Sequence, residues 1–435
     1  MRFLYAFLFC LLCGSLMSIS QPAEAQSAAD ISEQLSMRAN DVLRLLQGEE
    51  IEAEVFDENF RNAVSPAQFR AISRQVTAQQ GEPRSIVSIS PRNANSAILK
   101  IGFEKSIGTV SLDLETVAPH RISGLQLTGF EAAGDSVADV LAAIDALPGR
   151  QGVLVQQLPA GDPPPAAALD PDGRYAIASA FKLYILAELD RSVQAGERQW
   201  SDVVTLGPKS HPSGISQNWP DEAPVTLHTL ATLMISISDN SATDTLIRII
   251  GQNRLAQMVR ATGHHQPDDL LPFLMTRQAS ALKMPVHAER RRRFLSASRT
   301  EREKLLADFD KDLTLDSLDS RLLTSKPAFI DQLEWFATPQ DMIKLLAYLD
   351  RHASPEALAI LAINPGIGQD AAGKWGYFGY KGGSEPGVLS FNFLLRSKAG
   401  KHHAVSVNWN NEQQSLQENE LLALTTRLIN LLAEQ

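Results

Sequence analysis

Tyr175-Ala-Ile-Ala-Ser179-Ala180-Phe181-Lys182-Leu-Tyr-Ile-Leu-Ala-Glu-Leu-Asp190 is the stretch on which both the architecture and the chemistry of this chain turn. Its first residues read as extended and its last as an apolar helix, so the Ser179 hydroxyl is expected at a helix start. Backbone N–H groups lack partners there, and the helix dipole favours developing negative charge. Lys182 follows at i+3 and shares the serine's face. Phe181, Leu183, Tyr184, Ile185, Leu186 and Leu189 surround the lysine with apolar groups, and an ammonium stripped of water gives up its proton more easily. The pattern fits a serine nucleophile with an amine base in reach. Taken alone the pattern is more simply a helix-capping serine beside a solvated lysine, and only the rest of the chain overturns that reading.

The chain has 435 residues, 44% of them hydrophobic, so a sizeable core divided over about two to three domains is expected. A formal net charge of -10 opposes phosphate-backbone binding, and nucleic acid is not an expected partner. Met1-Arg2, the apolar run from Phe3 to about Ile19 and Ala23-Glu24-Ala25 form an export signal, with cleavage expected after Ala25. A lipoprotein site at Leu11-Leu12-Cys13-Gly14 would remove most of that apolar core and is set aside. Cys10 and Cys13, the only cysteines, lie inside the leader. The mature chain then rests on its core rather than on disulfides, thiol catalysis is excluded, and no stable membrane insertion is expected after cleavage.

Residues 27–131 read as a small α+β domain. Helical patterns cover about Ile31 to Leu46 and Pro66 to Gln79. Alternating runs follow at Ser85–Ile89, Ser96–Phe103 and Gly108–Leu114, with Pro91 and Glu104-Lys105 expected at turns. Helices followed by a meander resemble the cystatin-like or nuclear-transport-factor-like folds; a dimerisation surface, a lid or a wall-targeting module are the roles open to it. A second domain, 132–435, begins with a helix from Ser136 to Leu147 and the strand Gly152–Leu158. It ends with the strands Val388–Leu395 and His403–Trp409 and a helix from about Leu416 to Leu432. Helices between strands at both ends predict one antiparallel sheet with a helical cluster on it. A charged segment from about Met284 to Asp312 is expected to be helical, with a capping box at Thr300 and Glu303 and a solvated basic face at Arg290 to Arg293.

Two further elements carry chemistry. Ser238-Asp239-Asn240 interrupts a helical run from Thr226 to Ile250 and offers a hydroxyl and a carboxamide at a helix junction. Lys381-Gly382-Gly383 opens an edge strand whose glycines let a ligand approach the backbone. With Ser179-x-x-Lys182, these stand in the order of the S-x-x-K, S-D-N and K-T-G motifs. From about residue 132 to the end, the chain resembles class A β-lactamases and penicillin-binding proteins. Ala223-Pro-Val-Thr-Leu-His and Ala337-Thr338-Pro339-x-Asp341-Met342 add to the likeness.

The resemblance implies that Ser179 is the acylated nucleophile and Lys182 its base. Ser238 would relay a proton to the leaving group, and Asn240 would orient the substrate amide. Asp239 would be structural. Lys381 would hold Ser238 and attract a substrate carboxylate, while Gly383 and Ser384 line the binding site, the N–H groups of Ser179 and Ser384 forming the oxyanion hole. The implied substrate is a small β-lactam, ester or peptidoglycan-derived molecule, and no cofactor or metal is called for.

Two departures stand out. Gly382 replaces the family's Thr or Ser, leaving Ser384 as the nearest substitute hydroxyl. No E-x-x-L-N stretch lies between Asn240 and Pro339, so the usual water-activating glutamate is missing; Glu289 and Glu334 are the nearest replacements. Two-domain exported hydrolases of this kind include chains that resemble esterases. A non-turnover penicillin-binding or peptidoglycan-binding protein is therefore the alternative to a hydrolase. No G-x-S-x-G and no H-E-x-x-H occurs. The pairs His264-His265 and His402-His403 read as surface or junction histidines pointing apart, and Tyr377, Phe378 and Tyr380 as cleft wall.

Overall fold

The computed structural model describes residues 32–132, 134, 136–159, 164–313, 317–319, 321 and 326–433. The expected leader, with Cys10, Cys13 and the cleavage site after Ala25, lies outside the described residues. The chain divides into two units, Met1–Asp135 and Ser136–Gln435.

In the first unit, helices Glu33–Leu46, Glu52–Val55, Glu58–Ala63 and Pro66–Gln80 precede strands β1 (Pro83–Asn93), β2 (Ser96–Phe103), β3 (Ser106–Leu114) and β4 (Ile122–Ala132). The strands form an antiparallel sheet in that order. Alternation sends Ala97, Leu99, Ile101, Val110 and Leu112 to one face, where they pack with Leu35, Ala39, Val42 and Leu45 of the first helix. Pro91 does not sit at a turn as expected but inside β1, at a register shift. The edge position of β1 tolerates a residue without an N–H.

In the second unit, β5 (Arg150–Leu158) and β6 (Ala167–Leu169) join β11 (Tyr377–Glu385), β12 (Val388–Arg396) and β13 (His402–Asn410) in an antiparallel sheet ordered β11-β12-β13-β5-β6. Short pairs β7 (Tyr175–Ala176) with β10 (Phe336–Ala337), and β8 (Val203–Thr205) with β9 (Pro224–Thr226), complete the strands. One sheet face, through Val153, Val155, Phe391, Phe393, Val405 and Val407, packs on helices Val137–Asp145 and Glu418–Ala433. The other face carries the helical cluster built around Lys182–Gln194. Every residue of that helix from Lys182 to Asp190 is buried, as expected of a helix that is largely apolar all round. The fold is thus the mixed α+β arrangement expected.

The helix start expected at Ser179 takes the form of a 3₁₀ turn, Ala178–Phe181, that leads into the α-helix at Lys182, and no side chain caps either. Two local expectations change. In the charged segment, helices Ala288–Ser296 and Arg299–Phe309 form, but the capping box is Ser298 with Glu301, Ser298 being the residue whose backbone is extended. Within the basic run, Arg291 is not merely solvated; its guanidinium donates to Leu282 O and Met284 O at 2.8 and 3.1 Å and lies 4.0 Å over Phe329. No helix among the described residues is long and apolar enough to cross a membrane.

Leu186 is fully buried in the central helix. Leu186→Ala is expected to lower unfolding free energy by about 2–5 kcal/mol, read as a reduced denaturant midpoint at constant slope.

Candidate active site

The pairing of β7 with β10 sets the nucleophile's surroundings. Beyond Ala176↔Phe336, Ile177 N donates to Trp335 O at 2.9 Å, and the Trp335 ring stacks on Phe181 with centroids 3.9 Å apart. Ala178 then takes φ 41°, a costly conformation for a non-glycine residue, as the chain turns into Ser179.

Lys182 Nζ is fully buried and lies 3.1 Å from Ser179 Oγ, 3.0 Å from Ser238 Oγ, 2.7 Å from Ser238 O and 2.8 Å from Asn240 Oδ1. Burial, reinforced by the nearby Lys381 charge, holds its pKa well below the ordinary lysine value. A neutral amine has two N–H donors and one lone pair. The carbonyl and carboxamide oxygens take the donors, which leaves the lone pair for a hydroxyl proton. Such an arrangement can deprotonate Ser179.

Helices Leu227–Ser236 and Asn240–Ile250 flank the second element. Asp239, completely buried, caps the second helix by accepting from Ala242 N at 2.9 Å. It also accepts from Ile215 N, Ser216 N and Ser216 Oγ at 2.8, 2.8 and 2.6 Å. With both its oxygens committed, Asp239 fixes the junction and leaves the chemistry to its neighbours. Ser238 sits at φ 58°, and Asn240 Nδ2 donates to His211 O at 3.2 Å, which orients Oδ1 toward Lys182.

On β11, Lys381 Nζ lies 3.1 Å from Ser238 Oγ, and burial lowers its pKa to about 7. Ser238 therefore stands between two amines. Gly383 faces the 3₁₀ turn so closely that a Cβ there would lie 2.1 Å from Ile177 O and 2.7 Å from Ser179 N. Gly382 faces the other way, where a Cβ would meet Tyr380 Oη at 2.0 Å. The phenol already fills the space a threonine side chain would need.

Ser179, Asn240 and Ser384 line a cleft of about 80 Å³. The expected Ser179, Lys182, Ser238, Asn240 and Lys381 thus converge through direct contacts, with Gly383 against the turn. Glu334 lines the same cleft, whereas Glu289 is exposed and pairs with Arg292. Sequence reasoning missed Lys283 and Glu385, which also line it and pair with each other at 2.7 Å. Glu385 directly follows Ser384 and could have been noticed; Lys283 carries no local signal.

The aromatic expectation is corrected: Tyr380 packs on Phe391 and Phe393, and Phe378 on Phe393, in the core behind the sheet, because alternation turns them away from Lys381. The rings of His264 and His265 do not diverge; they stack at 5.7 Å on a turn, and His265 Nδ1 lies 2.7 Å from Asp341 Oδ2. Both nitrogens of His264 are engaged, by Phe336 O and by Gln266 N, so this trio with Asp341 is satisfied within the fold.

Residues 135–423 match the β-lactamase enzyme family, Beta-lactamase2. Similar solved structures include the β-lactamase from Sphaerobacter thermophilus, at 23% identity and a TM-score of 0.48 over 68% of this chain and 97% of that one. The putative class A β-lactamase PenP from Rhodopseudomonas palustris aligns at 17% identity and a TM-score of 0.48, over 69% and 99%. A PBP-A mutant in acyl-enzyme complex with penicillin G aligns at 15% and 0.46, over 68% and 94%. Among curated proteins no significant match was found. The family match spans nearly the whole of the second unit. The chain belongs to the β-lactamase enzyme family.

Gly383→Ala is expected to push β11 off the nucleophile turn. Acylation by a chromogenic β-lactam should fall by on the order of 10²–10³, the scale of a lost oxyanion-hole donor, and the melting temperature should fall as the backbone shifts to relieve the contact.

Proposed function

We propose that the chain is an exported active-site serine hydrolase, acylated at Ser179, that opens β-lactams or related amide and ester bonds. The observation that carries this reading is the buried Lys182 amine in contact with Ser179, Ser238 and Asn240, with Lys381 on the far side of Ser238. Lys182 takes the Ser179 proton as Oγ bonds to the substrate carbonyl carbon. The N–H groups of Ser179 and Ser384 receive the oxyanion. The proton passes from Lys182 through Ser238 to the leaving nitrogen or oxygen, and the bond to it breaks. Asn240 orients the substrate's acyl-side amide, and protonated Lys381 draws in a carboxylate. The leader directs the enzyme to the periplasm or the medium, and the first unit is a separate small α+β module.

Intact-protein mass spectrometry with a chromogenic cephalosporin tests this. An adduct on Ser179 that decays while product accumulates is expected, and Ser179→Ala should be folded and form none. An adduct that persists indicates a non-turnover penicillin-binding role, favoured by the missing E-x-x-L-N stretch. No adduct with β-lactams, but turnover of esters, moves the substrate class to esters.

Lys381 loses its charge as pH rises through about 7. KM for a carboxylate-bearing substrate should therefore rise above that pH, while an uncharged ester of the same acyl group shows no such limb.

A further inference from the structure

Helix Thr276–Lys283 ends in a lysine that is only 8% exposed and is shared by two carboxylates. Lys283 Nζ bonds Glu334 Oε1, and it lies 2.7 and 2.8 Å from the two oxygens of Glu385. Both carboxylates reach it from elements that touch the nucleophile. Continuing the β7–β10 register past Ile177 and Trp335 sets Glu334 opposite Ala178, one residue before Ser179. Glu385 lies two residues beyond Gly383, whose backbone abuts Ser179 N.

Glu334 Oε2 is buried without a hydrogen-bond partner, as is Trp335 Nε1 beside it. Both residues line the Ser179 cleft and also a second cavity of about 350 Å³, whose wall includes Arg174, Asp268, Asp269 and Arg302. A buried carboxylate oxygen without a donor, in the lining shared by the nucleophile's cleft and a polar cavity, is a fitting for a bound water.

We infer that Glu334 is the base that activates water for hydrolysis of the Ser179 acyl-enzyme, with Lys283 and Glu385 holding it in place. The inference rests on the serine-hydrolase reading above. Water gives a proton to Glu334 as its oxygen bonds to the acyl carbon. The acyl carbon–Oγ bond then breaks, and the proton on Glu334 returns through solvent in the cleft to Ser179 Oγ. The products are the free acid and the regenerated serine. This base comes from the approach to β10, and Lys283, which positions it, from the end of helix Thr276–Lys283.

Burial and the Glu385 charge raise the Glu334 pKa well above the ordinary carboxylate value, against the opposing pull of Lys283. Deacylation should accordingly increase with pH along a limb above the usual carboxylate range, because the base must be ionised.

The test is a time course of adduct and product for wild type and Glu334→Gln with the same cephalosporin. The variant is expected to acylate within several-fold of wild type and to deacylate on the order of 10²-fold slower or more, so that the Ser179 adduct accumulates. Glu385→Gln, which removes the like charge, should move the deacylation limb to lower pH, a shift that a merely structural role would not produce. If Glu334→Gln unfolds, Glu334→Asp keeps the charge and should still slow deacylation alone. Deacylation at the wild-type rate in Glu334→Gln, or in a folded Glu334→Asp together with an unmoved limb in Glu385→Gln, overturns the inference. Failure of the wild type to form any adduct appears instead at acylation and removes the underlying reading and this one together.

Discussion

An amine held out of water at the centre of the second unit is the constraint on which the rest depends. A lysine at full burial is unfavourable as an ammonium, and the penalty is relieved by giving up the proton or by finding partners. Here both happen at once. Carbonyl and carboxamide oxygens take the two N–H bonds, and loss of the third proton leaves a lone pair facing hydroxyls. The apolar helix that buries Lys182 also keeps its amine unprotonated and able to accept a proton, so packing and reactivity share one cause. Removing that helix's apolar neighbours would return the group to an ordinary solvated ammonium.

The neighbouring elements serve to keep that amine surrounded. Asp239 spends its carboxylate on capping and on the loop at Ile215 and Ser216, which holds Ser238 in a left-handed conformation it would not adopt unaided. β11 brings a second buried amine to the opposite side of Ser238. Two amines flanking one hydroxyl, each depressed by burial, form a path along which a proton can move without a charged side chain being exposed.

The other wall of the cleft follows different electrostatics. One ammonium shared by two carboxylates leaves a net negative charge in a largely buried site, and the more deeply buried carboxylate is the one driven toward its neutral form. The site thus holds a neutral amine in contact with Ser179 and a carboxylate of raised pKa in the lining of the same cleft. Environments that push titratable groups away from their ordinary values in opposite directions are what divide proton-transfer roles between them.

The sequence by itself determined the sheet with its helical cluster, the helical frame of Ser238-Asp239-Asn240 and the membership of Ser179, Lys182, Ser238 and Lys381 in one site. These were legible because alternation, helical periodicity and motif order are local properties written in consecutive residues. It misjudged Pro91 as a turn and Tyr380 as cleft wall. Each of those depends on which neighbour satisfies a backbone group or which face a strand presents. The grouping of Lys283, Glu334 and Glu385 was decided only by tertiary structure, for these residues come from a helix, an approach to β10 and the end of β11. No spacing rule links them, and what brings them together is the burial of a charge that cannot remain unpaired.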